Sequence, residues 1–198
     1  MRKFILLSVL LLAHSMFSFG QDMMKPVLLE KPATWGTELF FFPLNFAPKI
    51  EYGGYEIAAF PKDWAKVDSN MFWTYTFVWN INLNDALTES ELENHLQNYF
   101  DGLSSDVNKH QDLIPPSASA LILEIPSTEG LASYKGKVLI YDSFVTEDQI
   151  VLHTRIDHYY CEEQKKSIVH FRFSPKPFED DVWLELMNIK PVKDVCDQ

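Results

Sequence analysis

Hydrophobic and polar positions along this chain change period several times, and each change marks a predicted element. The clearest alternation is "FWTYTFVWNINL" (72–83), where Trp73, Tyr75, Phe77 and Trp79 fall on every second residue. Side chains alternate across a strand, so these four share one face while Phe72, Thr74, Thr76, Val78 and Asn80 take the other. Upstream, "TELFFFPLNF" reads as a strand that is apolar on both faces. Pro43 marks its edge or end, because proline offers no amide to a ladder. Gly53-Gly54, set between short apolar runs, predicts a hairpin turn. "FPKDW" reads as a loop, and residues 21–34 as a lead-in without a period.

Near residue 87 the period lengthens. Leu92, Leu96, Tyr99, Phe100 and Leu103 recur at helical spacing. Thr88 and Glu91 form a T-x-x-E capping box, and Leu87 and Leu92 stand where a hydrophobic staple falls. A helix is expected over 88–103, with Gly102 as a candidate stop and Leu103 and Val107 able to extend it by a turn. "IPPS" (114–117) breaks the chain. Four β-branched or aromatic runs follow, 118–125, 134–145, 149–160 and 167–174, separated by short turns in the manner of an antiparallel meander. "PFEDDVWLELMNI" then returns to helical spacing through Phe178, Val182, Leu186 and Ile189. Its first-turn acids suit the positive end of a helix dipole. The order of strands, helix, meander and helix predicts an α+β fold: a mostly antiparallel sheet with two helices segregated to one face.

Charge and the N-terminus add an address. Arg2 and Lys3 precede the apolar run "FILLSVLLLA" (4–13), and Ser18 and Gly20 supply a small-x-small site. This is the pattern of a signal peptide, 1–20, cleaved before Gln21 and leaving one domain over 21–198 in the periplasm or outside the cell. A bilayer span takes about 20 apolar residues. The leader run falls short of that and no later stretch reaches it, so no membrane insertion is expected after cleavage. Removing Arg2 and Lys3 takes the formal charge from −11 to −13. A surface that acidic repels nucleic acid and anionic lipid and keeps an exported chain soluble. Two cysteines in an exported chain invite a disulfide. Joining Cys161 to Cys196 closes a loop of 35 residues and pins the tail to the strand carrying Cys161.

The chain contains no G-x-S-x-G elbow, phosphate-binding glycine loop, H-E-x-x-H or paired C-x-x-C, and no cofactor is expected. The last hairpin is the remaining candidate for chemistry. A turn centred on Glu163-Gln164 sets Asp157 opposite His170 and Arg155 opposite Arg172. His153 joins these four on one face, while Leu152, Thr154, Ile156, Val169, Phe171 and Phe173 take the core face with His158. An Asp–His pair beside two arginines suits anion binding or the orientation of a general base. The same residues also suit a solvated face whose charges steady the hairpin. Arg155 and Arg172 repel unless an anion or Asp157 stands between them.

No metal site is expected. His158-x-x-Cys161 lacks a third ligand, and His95 and His110 lie fifteen residues apart without i,i+4 company. Glu89, Glu91 and Glu93 read as a solvated helix face. The stripe Trp73–Trp79 reads mainly as a core wall. Exposed, it would leave several hundred Å2 of apolar surface, at roughly 150–250 Å2 per aromatic, more than a soluble monomer usually tolerates. Trp79, at the strand's exit, is the member kept for ligand contact.

The blocks "WGTELFFFPLNFAP", "FWTYTFVWNI" and "LTESELENHLQNYFDGL" resemble an uncharacterised family of signal-peptide-bearing proteins from Gram-negative bacteria. In that family a W..E.F.FPL.FAP block precedes an FW.Y.FVW strand and a YFDGL helix end. The resemblance spans about 35–103 and implies no activity. The ending "SPKPFEDDVWLELMNIKPV" is similar to that of PsbP/Mog1-like domains, in which a strand runs into a short helix closing an α-β-α sandwich. That similarity implies a binding or assembly role without catalytic residues. The primary expectation is therefore an exported, non-catalytic binding or accessory protein with a protein or small-molecule partner. Two alternatives stand beside it. One is a hydrolase or anion-processing enzyme using Arg155, Asp157, His170 and Arg172. The other is a carrier whose NTF2- or cystatin-like cone holds a hydrophobic ligand between Trp73 and Trp79.

Overall fold

The strand predicted from the aromatic alternation, β4 (Tyr75–Ile81), is buried at every residue. A strand can be so only if it is paired on both edges and covered on both faces, and both conditions hold. The computed structural model describes residues 26–110, 113–128, 131–193 and 195–197; the expected signal peptide and its cleavage point at Gln21 lie outside them. The fold is α+β. A seven-stranded sheet comprises β2 (Gly36–Phe41), β3 (Gly54–Phe60), β4, β5 (Ser119–Ile125), β6 (Leu131–Tyr141), β7 (Gln149–Cys161) and β8 (Lys166–Ser174). Its order is β2-β3-β4-β8-β7-β6-β5, and every neighbouring pair is antiparallel. The meander reading of residues 118–174 holds.

The first helix, α1 (Glu89–Asn108), starts where the capping box places it. Thr88 N–H donates to Glu91 Oε2 at 2.8 Å, and Glu91 N–H to Thr88 Oγ1 at 3.3 Å. Leu92, Leu96, Tyr99 and Phe100 lie on the same sheet face as Trp79, Phe77, Phe171, Phe173, Leu152 and Ile156. The second helix, α2 (Val182–Asn188), sets Val182, Trp183 and Leu186 against Ile57, Val78 and Ile168 on the opposite face. The two helices are therefore not segregated to one face. An apolar stripe tells that a helix must be covered, but not on which side of the sheet.

Three local expectations also change. Gly53-Gly54 does not form a tight turn. The connection from β2 to β3 runs over residues 42–53, and Gly54, at φ +133°, opens β3 beside Ile81. Gly102 does not stop α1. It lies inside the helix because Phe46 O crosses it where a Cβ would stand. Finally, part of the lead-in is ordered structure. Leu29–Glu30 forms a short strand, β1, paired with β9 (Lys190–Pro191), and Leu28 is fully buried against the α2 layer. The Cys161–Cys196 disulfide is formed, with Cα atoms 5.5 Å apart, and ties the tail after α2 to the end of β7. No helix among the described residues is long and apolar enough to cross a membrane.

Candidate functional site

The register of the last hairpin follows its predicted turn: Asp157 pairs with His170 and Arg155 with Arg172. Their face is not solvated, because α2 covers it, and Asp157, His170 and Arg172 are all buried. Arg172 resolves the predicted repulsion by turning to Asp157, with Nη1 donating to Oδ2 at 2.7 Å. Its remaining donors close the end of α2, with Nε bonded to Leu186 O at 3.0 Å and Nη2 to Ile189 O at 3.1 Å. A cation on helix-terminal carbonyls complements the negative end of the dipole. Ser133 Oγ donates to the other Asp157 oxygen.

No hydrogen bond joins Asp157 to His170. Thr76 gives its proton to Phe171 O, so His170 donates from Nε2 to Thr76 Oγ1 at 2.6 Å. Burial and the Arg172 guanidinium hold His170 well below the usual imidazole range, so it stays neutral. Arg155 is half-buried and faces Lys135 across β6, beside Phe178, Glu179, Trp183 and Met187. These four residues are brought together by the sheet, but Asp157 and Arg172 form a lock between sheet and helix, and His170 bonds within the sheet. Among the described residues no group of three or more His, Cys, Asp or Glu could hold a metal ion.

The aromatic stripe is core for most of its length. Phe77 stacks on Tyr99 of α1 with centroids 4.8 Å apart. Trp79 is wholly buried, and its Nε1–H donates to Glu56 Oε2 at 2.7 Å. Tyr99 OH donates to the other oxygen at 2.9 Å. Burial pushes this carboxyl up to about 7, although both hydrogen bonds pull it down. Trp79 thus serves Glu56 and presents no surface to a ligand. Trp73 differs.

Trp73 and Tyr75 line a cavity of about 240 Å3 at the end of the sheet where β3 finishes and β4 begins. Phe40 and Glu38 of β2, Phe60 of β3, and Tyr99 and Leu103 of α1 supply further walls. Phe46, Trp64 and Phe144 reach in from three separate connections. Trp64, Trp73 and Phe144 stand steeply to one another, with centroids 5.6–5.8 Å apart and interplanar angles of 66–89°. The lining holds no Lys, Arg or His; its single charged side chain is Glu38, exposed, on the same face of β2 as Phe40.

Two further features stand in the cavity wall. Trp73 Nε1 and Tyr75 OH are buried donors without a partner, on side chains 2% and 9% exposed. A buried polar group left unpaired costs roughly 1–3 kcal/mol. Trp73 also adopts φ +49°, an unfavourable conformation for a bulky side chain, held by its N–H bond to Trp64 O at 2.8 Å. The lip is braced as well. Asp142, wholly buried, accepts from the amides of Phe144, Val145 and Thr146 at 2.9–3.1 Å. Ser143 Oγ meets Ser104 and Asn108 of α1 at 2.7 Å.

Of the residues expected to contact a ligand, only Trp73 lines this cavity. Phe60 and Trp64 were legible as aromatics in the "FPKDW" loop, and Phe144 lay hidden in a strand expected to reach 145. The Asp142-Ser143 pair, a turn-forming signal, ends β6 at Tyr141 and swings Phe144 to the lip. These features define an α+β protein with an aromatic-walled cavity between sheet and helix. No protein-family model, curated protein or solved structure matches the chain.

Proposed function

We propose that this is an exported, non-catalytic binding protein that holds a small, largely apolar molecule in the aromatic cavity. The observation carrying this reading is a cavity of about 240 Å3 whose wall is built almost entirely of aromatic side chains. Ligand pockets are typically apolar concavities with a few placed polar groups. Drug-sized ligands occupy about 300–1,000 Å3, so a cavity of about 240 Å3 suits a smaller guest. Phe144 is 44% exposed and sits where a guest must enter. The export reading rests on the leader pattern of residues 1–20, and a disulfide suits an oxidising compartment. The Asp157–Arg172–His170 cluster supports structure rather than hydrolysis, since it is buried under α2 and both Asp157 oxygens and the Arg172 guanidinium are bonded within the fold.

Saturation-transfer NMR with a set of small aromatic and branched aliphatic fragments tests the reading. Several fragments are expected to bind the wild type and to weaken about tenfold on Phe144→Ala, which touches the lip and spares the core. Absence of any saturable fragment, or equal binding to the variant, would refute it.

A further inference from the structure

The charge pattern of the cavity says more than its shape. Eight aromatic rings carry the only π-faces near its centre, and the sole ionised side chain in the lining is a carboxylate, Glu38. A second carboxyl, Glu56, stands directly behind the wall on Tyr99 OH. An anionic guest would meet negative ring faces, one or two carboxylates and no cation to offset them. A neutral guest would leave the field unused.

Resting on the ligand-binding reading above, we propose that the cavity's ligand is an organic cation with a methylated ammonium head, held by Trp64, Trp73 and Phe144 with Glu38 as counter-charge. Ring quadrupoles attract a cation seated within about 6 Å of their centroids, most strongly for tryptophan, and the three rings form a corner of steeply inclined planes. Methylation decides among cations. A primary ammonium brings three N–H donors that an aromatic wall cannot satisfy, and its stripping from water is costly. A quaternary head brings no donor and spreads its charge over methyl groups.

Choline and its uncharged isostere 3,3-dimethyl-1-butanol separate charge from shape, and titration calorimetry reads both. Choline is expected to bind at least tenfold tighter than the isostere. Glu38→Gln, which removes the charge and keeps the shape, is expected to reduce that preference severalfold. Phe144→Ala is expected to weaken choline about tenfold. Equal or tighter binding of the isostere overturns the cation class and leaves the cavity reading standing. If choline fails while the fragment set binds, the class again falls alone. If choline, isostere and fragments all fail, both readings fall together.

Discussion

Buried groups shape the pH response at the level of single residues, and Glu56 and His158 act in opposite directions. Glu56 titrates near 7 in the fold, raised from about 4.5 by burial. The folded state therefore holds its proton longer than the unfolded chain, and stability falls as pH rises from 4.5 to 7. His158 is the reverse case. Burial lowers it from 6.5 to about 4, where its neutral Nδ1 accepts from Leu87 N–H at 3.2 Å. The stability it contributes is full above 6.5 and is lost as pH falls towards 4. Glu56→Gln fixes the neutral form while keeping an acceptor and a donor for Trp79 and Tyr99. Its stability relative to wild type is expected to grow by about 3 kcal/mol between pH 4.5 and 7.5, read by urea unfolding across that range. Parallel pH curves for the two proteins would show that Glu56 is not the group responsible. None of this was legible beforehand. Glu56 lies in a sequence that reads as a plain strand, and only the register that sets it opposite Trp79 buries it.

At the scale of elements, the acids of α1 perform a task that periodicity alone concealed. Glu89 and Glu91 are exposed, as expected of a solvated face, but Glu89 also works with the half-buried Glu93 and Asp101. Glu89, Glu93 and Asp101 accept from Glu124 N–H, Ile122 N–H and Ala118 N–H at 2.6, 2.9 and 2.6 Å. These amides belong to the outer edge of β5 and the residue before it, and β5 ends the sheet. An uncovered edge offers a template for pairing with another chain, and charged acceptors make strong caps. Replacing Glu89 and Glu93 together with alanine is expected to speed amide exchange at Ile122 and Glu124 and to promote association in sedimentation velocity. Unchanged exchange and a monomer at every concentration would contradict the edge-capping role.

The helix itself was readable because its box, staple and stripe are local. The last hairpin was readable because a turn and a two-residue period fix register. What each face would meet was not readable. The Arg155–Arg172 opposition and its relief by Asp157 were seen correctly, but not that α2 arrives to supply carbonyls for the other Arg172 donors.

For the whole molecule, both faces of one antiparallel sheet are covered by different material. One side carries α1 and a core of stacked rings; the other carries α2, the short β1–β9 pair and the disulfide-tied tail. The aromatic strand supplies both layers. Its even-numbered residues face α2, Trp79 bonds Glu56 in the interior, and of its aromatic stripe only Tyr75 and the preceding Trp73 reach the cavity. The α+β class and the disulfide could be inferred from pattern and cysteine count. The cavity could not, because its walls come from β2, β3, β4, α1 and three connections that only the folded chain assembles.

The five tryptophans allow a single spectrum to test the claim that this cavity binds a ligand. Trp64 and Trp73 line it, Trp79 bonds Glu56 behind it, and Trp35 and Trp183 lie in the α2 layer. Each indole N–H gives one resonance in a 15N-labelled sample. Titration with choline or a binding fragment is expected to move the Trp64 and Trp73 signals in a saturable way. Trp35 and Trp183 should stay still. Saturable shifts confined to Trp35 and Trp183, or no shift at Trp64 and Trp73 at any concentration, would contradict the account.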